Sequence, residues 1–231
     1  MLFLQQLVAW PVTLCAAHFF AKASIRETCV LTRFPLRSVP AMLAATLGVN
    51  ILLQAVATSV RDPSVTWALM SQRDAQANPL ALILATIVIA PFAEEWFCRG
   101  LILRGFRSRY SDRTAIWLSS ILFAAFHLDM FDALLILPGG LWCAWLFVRS
   151  GSLLPGIIVH AMAGVSISFI IPSLVCAAGS TPEEVAAQHD LPVSVLWIGV
   201  LLALVGGLIH RRQFLALGEG ADVTQPPTTQ R

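Results

Sequence analysis

Long apolar runs recur along most of the chain, and they constrain its fold more than any other feature. Charged residues, Pro and Gly separate seven of them, near 1–21, 39–60, 79–103, 114–128, 131–148, 152–175 and 192–210. About 20 apolar residues cross a bilayer as a helix, because lipid offers backbone groups no other partner. The sequence predicts an all-α, polytopic transmembrane bundle of about seven spans, or six if the short fourth run does not cross.

Composition agrees with lipid as the main solvent of this chain. Hydrophobic residues make up 57% of it, charged residues 12%, and the mean hydropathy is +0.77. The net charge of +2 and the scattered basic residues argue against a nucleic-acid partner. Five cysteines without a CxxC pair indicate neither a zinc knuckle nor a disulfide framework. The expected surroundings are the lipid bilayer.

Basic residues alternate between the connections and predict a topology. The first, third and fifth connections and the C-terminal flank hold eleven Lys and Arg, whereas the other connections hold two. The positive-inside rule then places the N-terminus outside and the C-terminus in the cytoplasm. Basic residues follow the first run rather than precede it, which favours a retained anchor over a signal peptide. We expect one transmembrane domain over 1–217 and a disordered, apolar-poor tail over 218–231.

The third run carries charges inside an otherwise apolar segment, at Glu94, Glu95 and Arg99. Each charge at the centre of a span costs at least about 2.5 kcal/mol, so such residues usually face the bundle interior and mark function. Arg99 follows Glu95 by four residues and shares its helix face, whereas Glu94 is rotated by about 100°. Glu95 and Arg99 can neutralise each other, and Glu94 is the predicted general base. A purely structural ion pair is the alternative.

Two histidines on other runs complete a candidate site. Counting about 1.5 Å per residue from the cytoplasmic ends puts Glu94, His127 and His160 roughly 15, 20 and 12 Å deep, so they could meet. A carboxylate with two imidazoles suits attack by activated water on an acyl bond. The same three side chains could instead bind a divalent metal such as zinc. The residues leave both chemistries open.

The motifs around these residues resemble the CPBP (CAAX prenyl protease and bacteriocin-processing, or Abi) family of intramembrane proteases. Glu-Glu-x-x-x-Arg reads 94–99 here, and Phe-x-x-x-His reads 123–127. The segment 151–160, which ends in a histidine, is also similar, and the resemblance covers about 80–175. The sequence departs from the family pattern at Gly164, where a polar residue usually follows the histidine by one turn.

The resemblance implies an intramembrane endopeptidase, expected in a bacterial inner membrane. Glu94 and His127 would activate the water, His160 would hold the substrate carbonyl or the oxyanion, and Glu95 with Arg99 would order the site. No cofactor is firmly implied; a divalent metal such as zinc is the alternative. The expected substrate is a membrane-associated peptide or protein, either lipid-modified or bearing a C-terminal sorting signal.

Other functions remain open from the sequence. At Gly164, either another donor such as Ser166 substitutes for the usual polar residue, or catalysis is altered. A non-catalytic binding or immunity protein of the same fold is the second hypothesis. A small proton-coupled transporter is the third, with the glutamate and histidines as a relay. The sequence shows no inverted repeat of the kind many transporters have.

Overall fold

The described part of the chain is helical and contains no strand. The computed structural model describes residues 28–60, 78, 80, 83–127, 129–181, 184–185 and 190–218. Its main helices are α1 (Leu36–Val60), α2 (84–107), α3 (Asp112–Ala125), α4 (Met130–Ser150), α5 (Leu154–Ala177) and α6 (Val193–Gly218). The predicted first span, 1–21, and residues 219–231 of the predicted tail lie outside the described residues.

Four described helices are long and apolar enough to cross a membrane: Leu36–Val60, Met130–Ser150, Leu154–Ala177 and Val193–Gln213. They correspond to four of the predicted spans. The described part of the chain is therefore all-α, as predicted, and these apolar helices support an integral membrane protein. Helix α2 carries the three charges of the third run, and α3 has 14 residues, against the roughly 20 that a span needs. The count of about seven spans is not confirmed.

Local sequence signals explain where the central helices begin and end. Ser111 precedes α3 and its side chain accepts a hydrogen bond from the Thr114 amide, while Asp129 caps α4 in the same way. Gly151 ends α4 with a φ of 64°, a left-handed conformation that glycine adopts without penalty. Pro155 lies in the first turn of α5, where its missing N–H costs nothing. These signals fix the loops that flank the candidate site.

Helices α2 and α5 contain wide turns of the π type. They cover Leu84–Ile89 and Trp96–Leu103 in α2 and Ser166–Ile170 in α5. Pro91 and Pro172 each follow such a turn closely. A proline clashes with the preceding α-helical turn and lacks an N–H, and a wider turn accommodates both defects. Pro91 therefore follows a π turn closely, and π turns are frequent at functional sites.

Helices α1 and α6 form a tightly packed antiparallel pair. A Cβ added at Gly48 would lie 2.6 Å from the Gly199 carbonyl oxygen, and one at Gly206 would lie 2.5 Å from the Ala45 amide nitrogen. Only glycine lets the two backbones approach so closely, as in other membrane helix pairs with small residues at the interface. Helix α1 also packs along α5, which ties this pair to the helices that carry the candidate site.

Candidate active site

A buried ion pair forms the base of the site. The Glu95 and Arg99 side chains are each only 1% exposed, and Nη1 of Arg99 donates a 2.9 Å hydrogen bond to Oε1 of Glu95. The contact expected from their i, i+4 spacing is therefore present. A charge taken out of water requires an opposite charge and hydrogen bonds around it. These two residues provide the opposite charge for each other.

Arg99 is also fixed by the two helices that face it. Its Nη2 donates a 2.7 Å hydrogen bond to the Gly140 carbonyl of α4. Its guanidinium carbon lies 4.7 Å from the ring centroid of Phe123 on α3, in a cation–π contact. The planar guanidinium can serve both partners at once because its donors point in fixed directions. Arg99 thus links α2, α3 and α4.

The Glu95 carboxylate fits only because a glycine faces it. A Cβ at Gly156 of α5 would lie 2.6 Å from Oε2 of Glu95 and 3.7 Å from Cβ of Cys143. The Cys143 thiol is buried and lies 3.8 Å from the Gly156 carbonyl oxygen. The close approach of α5 to Glu95 therefore depends on the absence of a side chain at position 156.

His160 of α5 contacts both glutamates. Its Nδ1 lies 3.2 Å from Oε1 of Glu95, and its Nε2 lies 3.6 Å from Oε2 of Glu94. Glu94 and His160 are 26% and 22% exposed, whereas Glu95 is buried. The carboxylate of Glu95 can only accept, so Nδ1 carries the proton of that bond and Nε2 faces Glu94. Glu94 and His160 form the accessible edge of the cluster.

His127 lies at the end of α3, and Phe123 separates it from the ion pair. Its Nδ1 is 3.1 Å from the Phe123 carbonyl oxygen, which can only accept, so Nδ1 is the donor. The Phe123 ring lies edge-on to both imidazoles, with centroids 5.3 Å from His127 and 5.9 Å from His160. Arg99, His127 and His160 therefore all contact the ring of Phe123, and His160 also lies next to Glu94.

Gly164, the departure from the family pattern, has a packing role. A Cβ at this position would lie 2.7 Å from the Thr86 carbonyl oxygen in the first π turn of α2. Pro91, five residues after Thr86, has no N–H to offer that carbonyl in the π pattern. Ser166, the alternative donor from the sequence, is fully buried and its hydroxyl donates to the Met162 carbonyl. Close approach of α5 to α2 thus requires glycine at 164.

Sequence reasoning assigned no role to three residues that shape the site: Phe123, Gly140 and Gly156. Phe123 was part of the Phe-x-x-x-His motif, and its place one turn before His127 was the only signal for it. Gly140 and Gly156 lie in apolar helices, and nothing in their local sequence indicates an arginine or a glutamate opposite. Their roles arise from contacts between helices that are distant along the chain.

The zinc alternative requires at least three ligand side chains close together. No group of three or more His, Cys, Asp or Glu side chains in the described ranges is placed to hold a metal ion. The candidate metal ligands Glu94, His127 and His160 do not form such a group. Their described positions therefore do not fit the zinc alternative.

Fold and site together define an integral membrane protein with an ionised cluster between its helices. Residues 76–166 match the family model described as type II CAAX prenyl endopeptidase Rce1-like. This segment contains all five predicted site residues, and the match supports the CPBP family of CAAX-type proteases, as the motifs had indicated. Searches of curated proteins and of solved structures gave no match.

Proposed function

We propose that this chain is an intramembrane endopeptidase that cleaves its substrate with water activated at Glu94. The observation that carries the proposal is the contact series from Arg99 through Glu95 and His160 to Glu94. A buried ion pair fixes the imidazole, and the imidazole holds a carboxylate at the accessible edge. General bases in hydrolases require this kind of positioning beside the water that they deprotonate.

Glu94 and His127 are the residues proposed to activate the water. In the neutral imidazole of His127, the proton sits on Nδ1 because that nitrogen contacts the Phe123 carbonyl. Its Nε2 then has a lone pair and can accept a proton or hold a water molecule. Glu94 takes the proton as the water oxygen attacks the scissile carbonyl carbon.

His160 is proposed to stabilise the oxyanion. With Nδ1 bonded to Glu95, its Nε2 points to the edge where Glu94 lies. A proton on Nε2 would be donated to the developing negative oxygen, and Glu95 would balance the charge of the imidazolium. Because Gly164 cannot supply a side-chain donor, this role falls to His160. Glu95 and Arg99 act by positioning the imidazole.

Topology and substrate are part of the same proposal. We place the N-terminus outside and the C-terminus in the cytoplasm of a bacterial inner membrane, with about seven spans in one domain over 1–217. The loop charges support this orientation. The proposed substrate is a peptide or protein with a membrane-associated end, lipid-modified or bearing a C-terminal sorting signal, because the glutamates lie between apolar helices.

The test compares protein termini in membranes from cells that contain the parent chain or a Glu94→Gln variant. Glutamine keeps the size of the side chain but cannot accept the proton, so we expect cleavage to fall by about 10²–10⁴-fold. Mass spectrometry of termini would identify a product present only with the parent. A Glu184→Gln variant changes an exposed carboxylate outside the site and serves as the control. Equal product with both variants would contradict the proposal.

A further inference from the structure

Helix α1 carries a row of polar side chains inside the bundle. Thr46, Asn50, Gln54 and Thr58 follow one another at intervals of four residues, which keeps them near one face of a helix. Thr46, Gln54 and Thr58 are buried, and Gln54 is only 6% exposed. We call these four residues the polar row. In an apolar membrane helix, a polar face turned away from lipid usually contacts another helix or a water-filled space.

The two amide nitrogens of the row lack protein partners. Nδ2 of Asn50 and Nε2 of Gln54 are both buried, and neither has a hydrogen-bond partner within the described part of the chain. An amide N–H group buried without a partner is unfavourable, and more so in lipid than in a wet interior. The two threonine hydroxyls instead donate to carbonyls of the preceding turn of α1.

The first part of the polar row, at Thr46 and Asn50, lies on the side of α1 opposite to α6. At 100° per residue, Asn50 is about 160° away from Gly48 around the helix, and Gly48 faces α6. Helix α1 also contacts α5, including the wide turn Ser166–Ile170. The two buried serines of α5, Ser166 and Ser168, lie on this turn. Of the described helices, α1 contacts mainly α6 and α5, so the side of α1 away from α6 is the one nearer to α5.

One end of the row lies at the depth of the proposed active site. Met42 of α1 belongs to the same packed cluster as Val159, the residue before His160. Nearer the other end, Ile51 and Ile171 share a second cluster. Helices α1 and α5 are thus parallel, and the row starts one turn beyond Met42, close to the level of His160. It then extends towards the end of α1 at Val60.

We propose that the polar row is a water pathway from the Val60 end of α1 to the active site. This inference rests on the proposed function, because a hydrolase consumes one water molecule for each bond that it cleaves. Water molecules along the row supply the missing acceptors for the amide nitrogens of Asn50 and Gln54. The amides bind this water and take no part in the hydrolysis itself.

The test measures water access without depending on catalysis. Gln54→Cys and Ile51→Cys variants of the full chain in vesicles are treated with 2-aminoethyl methanethiosulfonate, and peptide mass reports labelling at each position. Ile51 lies at a similar depth but packs against Ile171 and Val195, so it is the matched control. The reagent reacts with thiolates, which form in water, so labelling at position 54 should be at least about tenfold faster than at position 51. Equal rates would overturn the pathway.

A second comparison connects the pathway with hydrolysis. An Asn50→Leu/Gln54→Leu double variant removes both amides and keeps apolar bulk, so the helix remains suited to the bundle. We expect its cleavage rate at saturating substrate to fall by about tenfold or more, with KM unchanged, because water supply and not substrate binding is impaired. An unchanged rate in this variant would overturn the pathway. Labelling at position 54 in a chain without any proteolysis would instead contradict only the proposed function.

Discussion

Two regions of the molecule bring helices together by different means. At the site, α2 and α5 approach each other around charged side chains, and Gly156 leaves room for the Glu95 carboxylate. In the α1–α6 pair, Gly48 and Gly206 leave room for the opposite backbone, with no charge between them. Gly156 thus accommodates a charged side chain of the site, whereas Gly48 and Gly206 accommodate a backbone and serve packing.

This difference leads to separate expectations for stability and activity. In the α1–α6 pair, a substitution should destabilise the fold and leave the chemistry of the folded molecules unchanged. Around Glu95 it should affect both, because the same atoms hold the helices together and orient His160. Gly164 is an intermediate case, since it faces a backbone carbonyl but lies one turn from His160.

The largest expected effect comes from removing the arginine of the buried pair. Arg99→Leu leaves the Glu95 charge buried without its partner, and we expect a loss of about 3–5 kcal/mol in the free energy of unfolding. Thermal unfolding in detergent would measure it. Arg107→Leu breaks the exposed pair with Asp112 and serves as the control, with an expected loss of about 0–1 kcal/mol. If both variants lost a similar free energy of unfolding, burial would not be what makes the Glu95–Arg99 pair important for stability.

The next effect concerns the α1–α6 pair. In Gly48→Ala, the new methyl group meets the backbone of Gly199 and Ala203, which cannot move aside. We expect a loss of about 3 kcal/mol, the upper end of the usual cost of overpacking. Activity per folded molecule should not change. Gly207→Ala is the control, because a Cβ there meets nothing within 4 Å and should stabilise the helix by about 0.5–1 kcal/mol.

At Gly164, the question is whether the usual polar residue would restore a missing donor. A side chain there meets the Thr86 carbonyl oxygen at 2.7 Å, so we expect Gly164→Asn to destabilise the fold by about 2 kcal/mol. It should also lower proteolysis, because α5 and its His160 would shift away from α2. Gly164→Ala separates the two possibilities, since it adds bulk without a donor. Higher activity of the asparagine variant than of the parent would contradict this packing role.

The sequence predicted local features of this molecule well. The length of the apolar runs predicted the helices and four of the spans, and the i, i+4 spacing predicted the Glu95–Arg99 contact. Both patterns involve residues that are close together in the sequence. The similar depths of His160 and Glu94 in the membrane, counted from the sequence, also predicted that the two residues lie close together. By contrast, the fit of Gly156 against Glu95 depends on how two helices are rotated and how closely they approach, and no local pattern encodes this. The same holds for the Thr86 carbonyl opposite Gly164.

The smallest expected change in stability is that of a substitution in the candidate active site, at Gly156. In Gly156→Ala, the methyl group meets Oε2 of Glu95, the end of a side chain that can shift slightly, so we expect a loss of about 1–2 kcal/mol. Activity should fall much further, by about 10²-fold, because the displaced carboxylate no longer holds His160 in place. Gly139→Ala meets nothing within 4 Å and should leave activity unchanged. If Gly156→Ala lost only stability, like Gly48→Ala, the two regions would not differ in the way proposed.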